Sequence, residues 1–245
     1  MKPRIAIFDF GCCEGCQLQI VNLEEELLDL VGLVEVVSWR EAMTGHSDDY
    51  DIAFVEGSIT REAEIERLKD IRQHAKILVA LGACAHIGGI NCLKNVFDMD
   101  EVLQYVYGDD AKYFDTIPAR PLSAVVPVDY AVPGCPIDRQ EFLEVVKALL
   151  LGKKPPIPNY PVCVECKMKG NVCVFDKGMT CLGPVTRAGC GARCPTYGNK
   201  CEGCRGLVDD PNLDSYKEVL QEHGLTVEQI LNSFRMFGGC TEVVK

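Results

Sequence analysis

Basic charge is scarce in this chain: 25 Lys and Arg stand against 36 Asp and Glu, a formal net charge of −11. Nucleic acids and anionic membrane surfaces are held through basic faces, so neither is expected as a partner. Long hydrophobic runs are also missing, and no apolar stretch approaches the ~20 residues of a bilayer-spanning helix. The opening MKPRIAIFDF meets Asp9 too soon to contain the apolar region of a signal peptide. The chain therefore reads as cytoplasmic. Histidine is rare, with 4 residues spread along the chain, which cannot supply mixed Cys/His metal sites in quantity. No internal repeat of fixed period is visible.

Cysteine, by contrast, is abundant. The apolar fraction of 47% and charged fraction of 25% are ordinary for a globular protein of 245 residues, but 15 cysteines are not. Cytosolic thiols are kept reduced, so a disulfide framework explains them poorly and metal ligation explains them better. The length allows one sizeable core and a smaller appended unit.

Residues 1–152 alternate between strand and helix patterns. PRIAIFDF, LVEVVSW, DIAFVEG and KILVALGA are short apolar runs of the kind that form buried parallel strands. Between them, TREAEIERLKDIRQHA places Ile65, Leu68 and Ile71 on one helical face, with Thr60 as the expected N-cap. A further helix opens with an Asp138–Glu141 capping box and runs through FLEVVKALLLG. This alternation predicts an α/β fold, a flavodoxin-like doubly wound parallel sheet. The Pro-rich GKKPPIPNYP at 152–161 reads as a linker into a second unit, residues 153–245. Residues 162–206 hold eight cysteines and little apolar periodicity, so a small Cys-rich domain organised by bound metal is expected there. Two helical patterns follow, DSYKEVLQEHG and TVEQILNSFRMF, the second with a Thr226–Gln229 capping box.

Twelve of the cysteines fall into three groups of four. Cys13 and Cys16 follow the first strand pattern, Cys84 follows KILVALGA, and Cys135 lies in VPGCPID. In a doubly wound sheet the loops beyond the strands' carboxyl ends converge on one crevice, so these four can meet. Glycines beside them, Gly15, Gly82, Gly88, Gly89 and Gly134, permit close backbone approach, and a helix beginning near Gln17 would aim its positive end at the site. The other groups are local: Cys163, Cys166, Cys173 and Cys181, then Cys190, Cys194, Cys201 and Cys204. Four thiolates suit either a 4Fe–4S cluster or a zinc ion.

CEGC, VEGSI, GACAHIGG and PGCPID resemble the proximal-cluster loops of the small subunit of nickel–iron hydrogenases, and CVECKMKGNVC, CLGPVTRAGC and CEGCRG resemble that family's distal and medial segment. The resemblance spans about residues 3–206 in the family's order. With no histidine ligand in its second part, it is similar to the soluble cytoplasmic branch coupled to NAD(P), deazaflavin or ferredoxin. It implies three 4Fe–4S clusters: a proximal one on Cys13, Cys16, Cys84 and Cys135, a distal one on Cys163, Cys166, Cys173 and Cys181, and a medial one on Cys190, Cys194, Cys201 and Cys204. It implies as partners a large subunit carrying the nickel–iron centre, and flavin or iron–sulfur subunits that handle the terminal carrier. The catalytic centre would then lie on the partner, and this chain would conduct electrons. A zinc-stabilised interaction module and a quinone-reductase-type subunit are the alternatives, although the latter leaves eight cysteines unexplained.

Cys12, Cys92 and Cys240 remain, read as small buried hydrophobes, with Cys12 able to exchange with Cys13 as a ligand. Glu56 in VEGSI ends a strand near the same crevice, either as a solvated loop carboxylate or as a group beside the proximal cluster. His86 beside Cys84 reads as a packing residue or a neighbour of the ligands rather than a ligand.

Overall fold

The computed structural model describes residues 2–241. Five strands, β1 (Arg4–Asp9), β2 (Glu35–Trp39), β3 (Ile52–Glu56), β4 (Ile77–Leu81) and β5 (Tyr130–Val132), pair in parallel throughout. Their order is β2-β1-β3-β4-β5, the flavodoxin-like winding, with its switch point between β1 and β3. The four apolar runs correspond to β1–β4; the three-residue β5 is too short to carry a pattern of its own.

The sheet is covered on both faces, and the pleat sorts the side chains. Ile5, Ile7, Ile52, Phe54, Val79 and Leu81 point to one face. There they meet α1 (Gly15–Val21) through Ile20 and α6 (Arg139–Leu150) through Phe142, Val145 and Val146. Ala6, Ala53, Val55, Leu78 and Ala80 point the other way, onto Leu68 and Ile71 of α3 (Glu62–His74). Ile65 packs at the edge of that core, as the helical pattern predicts. The remaining helices of this part are α2 (Glu25–Leu33), α4 (Gly82–Ile87) and α5 (Met99–Tyr107).

Two helix starts differ from the sequence reading. Arg61, not Thr60, occupies the N-cap of α3, because the Glu64 carboxylate reaches back to accept from the N–H groups of both Thr60 (2.7 Å) and Arg61 (3.1 Å). Asp138 does cap α6, accepting from Gln140 (3.0 Å) and Glu141 (3.2 Å), but the Glu141 carboxylate does not close the box. It turns inward to Arg205 instead.

Beyond the linker, α7 (Val162–Met168) and α8 (Arg193–Thr196) are short, and the tail supplies α9 (Leu213–Glu222) and α10 (Val227–Gly238). The Thr226–Gln229 capping box of α10 is present. The cysteine-rich segment is less bare than its composition indicates, since Leu182 and Val185 share a core with Tyr216, Leu220, Ile230 and Phe234 of the tail helices. α10 also packs on a 3-10 turn at Gly89–Val96, where Cys92 and Cys240 are joined as a disulfide. Reading these two as unbonded apolar side chains is therefore corrected. They lie 148 residues apart, and nothing local in either stretch reveals the pairing.

Candidate metal centres

Each cysteine of the first set sits just past the carboxyl end of a strand. Cys13 and Cys16 follow β1, Cys84 lies in α4 directly after β4, and Cys135 follows β5. Their proximity shows in the thiols' acidity. Burial and then the negative neighbours Cys135 and Cys13 push the Cys84 thiol up to about 12. Cys16 is driven up by burial, then by Glu56, with Cys84 adding to the effect. Gly82 makes this crowding possible: its φ is +82°, and a Cβ there would overlap the Cys16 sulfur.

The helix expected near Gln17 begins at Gly15, and the amides of its second and third residues, Cys16 and Gln17, are engaged by a carboxylate. Glu56, at the end of β3 and 2% exposed, accepts from the N–H groups of Cys16 and Gln17, both at 3.1 Å. Burial raises the Glu56 pKa against the pull of these two hydrogen bonds. Glu56 is thus no solvated loop carboxylate. Gln17 is buried beside it and accepts from Trp39 Nε1 (2.8 Å), while its own Nε2 finds no acceptor among the described residues. Asn91 donates to Gly11 O (2.6 Å) and Ser58 Oγ (2.7 Å), tying the loop after β1 to the one after β3. Neither Gln17 nor Asn91 carries a sequence signal for this role.

Cys12 shares the neighbour Glu56 with Cys16. Its thiol is pushed up to about 12 by burial and then by Glu56, with Glu14 and Asp9 contributing. His86 is held neutral, with its pKa lowered to about 4 by burial and by the cations Arg187 and Arg205. It packs near Gly206 and so serves as a packing residue between the two parts of the chain.

The second set, Cys163, Cys166, Cys173 and Cys181, lines one cavity of about 50 Å³. Burial and the other three thiols of the set together push Cys163 up to about 11. The third set, Cys190, Cys194, Cys201 and Cys204, lines a larger open cleft of about 920 Å³, which Cys135 of the first set also borders. Glu165, between the first two cysteines of the second set, accepts from the N–H groups of Gly189 (2.8 Å) and Ala192 (3.1 Å) and so shapes the loop bearing Cys190.

The sets adjoin in series. Cys204, raised to about 11 mainly by burial, borders the same cleft as Cys135, and the neighbouring Cys190, Cys135 and Cys194 raise it further. On the other side of the third set, the Cys201 N–H donates to Cys181 Sγ at 3.2 Å. The order in space is first, third, second.

The donor chemistry fits iron–sulfur clusters. Each set offers four soft sulfurs, and glycine-rich backbone lies around them. The second and third sets surround open space. The upward thiol shifts are those of metal-free thiols; a bound cation reverses them and holds the sulfurs as thiolates.

Fold and thiol arrangement define a class: a flavodoxin-like α/β protein with cysteine sets at its strand ends and in an appended lobe. Residues 13–149 match the family described as NADH ubiquinone oxidoreductase, 20 Kd subunit, and the chain belongs to that family. The matched span contains all of the first set and stops before the other two. Sulfhydrogenase 2 subunit delta of Pyrococcus furiosus is 36% identical, over 96% of this chain and 98% of its own length. A subunit of the F420-non-reducing hydrogenase vhu of Methanocaldococcus jannaschii is 34% identical, over 85% of this chain and 83% of its own. Among solved structures, a chain of an NAD+-reducing NiFe-hydrogenase in the H2-reduced state superposes with TM-score 0.59 at 27% identity, covering 64% of this chain and 96% of that one. The actinobacterial-type NiFe-hydrogenase from Ralstonia eutropha H16 shares the fold over 90% of each chain, with TM-score 0.57 at 18% identity.

Proposed function

We propose that this chain is the electron-transfer subunit of a nickel–iron hydrogenase, an oxidoreductase acting on hydrogen. It relays electrons between the nickel–iron centre of a partner large subunit and a cofactor-reducing partner through three 4Fe–4S clusters. The coarser part of this reading, association with a hydrogenase, is supported by the named relatives that span nearly its whole length. The finer part rests on one observation: three four-cysteine sets adjoin in series, with Cys135 bordering the cleft of the third set and the Cys201 amide donating to Cys181 Sγ.

In this reading Cys13, Cys16, Cys84 and Cys135 hold the proximal cluster, Cys190, Cys194, Cys201 and Cys204 the medial one, and Cys163, Cys166, Cys173 and Cys181 the distal one. Bound there, the clusters supply one-electron carriers. The chain's own part is to hold them in register. Glu56 fixes the first turn of α1 and with it Cys16; Glu165 fixes the loop carrying Cys190; Asn91 ties down the loop before Cys12. Residues 1–152 form the unit for the proximal cluster and 153–245 the unit for the other two. The chain is placed in the cytoplasm with the branch it resembles, although the Cys92–Cys240 disulfide is not a bond that a reducing compartment favours. The terminal carrier, whether NAD(P), deazaflavin or ferredoxin, belongs to a further flavin or iron–sulfur subunit.

The test is affinity purification of the tagged chain from its native host, followed by metal analysis and hydrogen-dependent dye reduction. A nickel-bearing polypeptide should copurify, and Cys16→Ala should abolish dye reduction while hydrogen–deuterium exchange at the nickel site persists. A chain that purifies without nickel, or a Cys16→Ala complex that reduces dye at the wild-type rate, contradicts the reading.

A further inference from the structure

Arg205 directly follows Cys204 and is 1% exposed, a guanidinium taken wholly out of water. Its Nε donates to Ala188 O at 2.7 Å. Nη1 donates to Pro133 O (2.7 Å) and Glu141 Oε2 (2.9 Å), and Nη2 to Glu141 Oε1 (2.6 Å). Each partner is next to something that matters. Ala188 lies two residues before Cys190, Pro133 two before Cys135, and Glu141 is in the first turn of α6 just beyond the Cys135 loop. One planar fork therefore fixes, at the same time, the loop bearing Cys135 of the first set and those bearing Cys190 and Cys204 of the third. Gly189 is shaped around the pair: its φ is +114°, and a Cβ there would overlap both the guanidinium and the Glu141 carboxylate. Glu141 has also given up the reciprocal half of its capping box to make this contact.

We propose that the buried Arg205–Glu141 pair is a positioning device that sets the spacing and orientation between the proximal and medial clusters, and with them the rate at which one electron crosses between the two. This rests on the proposed hydrogenase function. A charge pair is costly to bury and is not needed for stability alone, since apolar replacements often serve as well. The bidentate fork supplies directional fixation of two carbonyls as well as the carboxylate, which an apolar contact does not. No bond forms or breaks in the step; an electron leaves one centre and arrives at the other, and the rate depends on their separation.

The test uses the complex that copurifies with the chain, carrying Arg205→Met with Glu141→Leu, and separately Arg205→Lys. Iron and acid-labile sulfide are measured first, then the spin–spin splitting in the electron paramagnetic resonance of the fully reduced complex, then electron exit to an external dye. The neutral double variant should keep wild-type iron, with weakened splitting and at least a tenfold slower exit. Arg205→Lys, which keeps the charge but loses the fork, should also keep its iron and show weakened splitting. Wild-type splitting and exit rate in an iron-replete double variant overturn the proposal. If the double variant loses iron, Arg205→Lys decides: weakened splitting supports positioning and wild-type splitting overturns it. A wild-type complex without iron overturns the cluster reading itself, and this inference with it.

Discussion

Replacing Gly82 by Ala probes the first cysteine set at its tightest point. Gly82 opens α4 at φ +82°, and a left-handed L-residue costs about 1–2 kcal/mol. The new methyl would also overlap the sulfur of Cys16, which is 6% exposed and packed among the core side chains. Forcing extra volume into such a site costs about 1–3 kcal/mol. The two effects together predict about 2–5 kcal/mol, and for a chain of this size a melting temperature lower by roughly 4–20 °C. Gly108→Ala is the internal control. Its φ is also positive, at +54°, but a Cβ there meets nothing within 4 Å among the described residues, so only the conformational part applies, about 1–2 kcal/mol or roughly 2–8 °C. Differential scanning calorimetry with iron analysis separates the two variants. Gly82→Ala should lose about four irons per chain with the other sets filled, and Gly108→Ala should lose none. Equal melting shifts and full iron in both variants would refute the requirement for Gly82 beside the Cys16 sulfur.

Other expectations follow from individual contacts. Leu220→Ala removes a fully buried side chain from the core between the tail helices and Leu182, and should cost about 2–5 kcal/mol in denaturant unfolding. Thr226→Ala removes the acceptor for the Gln229 N–H and should cost about 1 kcal/mol, seen as faster amide exchange in the first turn of α10. Asp51 accepts from the Arg4 N–H (2.8 Å) and from Lys76 Nζ (2.7 Å), which hold its carboxyl below the ordinary 3.8. A depressed carboxylate pKa contributes stability that is full above 3.8 and is lost as the pH falls through the folded-state value. Asp51→Asn should therefore be less stable than wild type at pH 7, with the gap closing under acid; a gap that stays constant down to pH ~2 contradicts this assignment.

Much of the architecture is legible in the chain because parallel strands buried on both faces read as apolar runs, as β1, β3 and β4 do, while β2 lies half-buried at the sheet's edge. The first cysteine set is reachable from topology, since loops at strand carboxyl ends must converge. What escapes depends on partners distant in sequence. Arg205 meets Glu141 across 64 residues, so CEGCRG shows a basic residue without its purpose, and D-x-x-E at 138–141 shows a capping box whose Glu is engaged elsewhere. A helix does start at Gly15 beside Cys16, but its carboxylate partner escapes for a related reason: Glu56, 40 residues on, takes the Cys16 amide, and the burial that makes this possible has no local signal. The pairing of Cys92 with Cys240 is invisible in the chain because their contact exists only once α10 packs on the turn at Gly89–Val96.

Iron, acid-labile sulfide and zinc, measured per chain on the anaerobically purified complex, test the cluster assignment most directly. Three sets of four thiolates predict about twelve irons and about twelve sulfides from this chain, beyond the iron of the nickel–iron centre and of any further iron–sulfur subunit, no zinc, and a brown protein that bleaches on reduction. A colourless protein carrying about three zinc ions and no sulfide would contradict it.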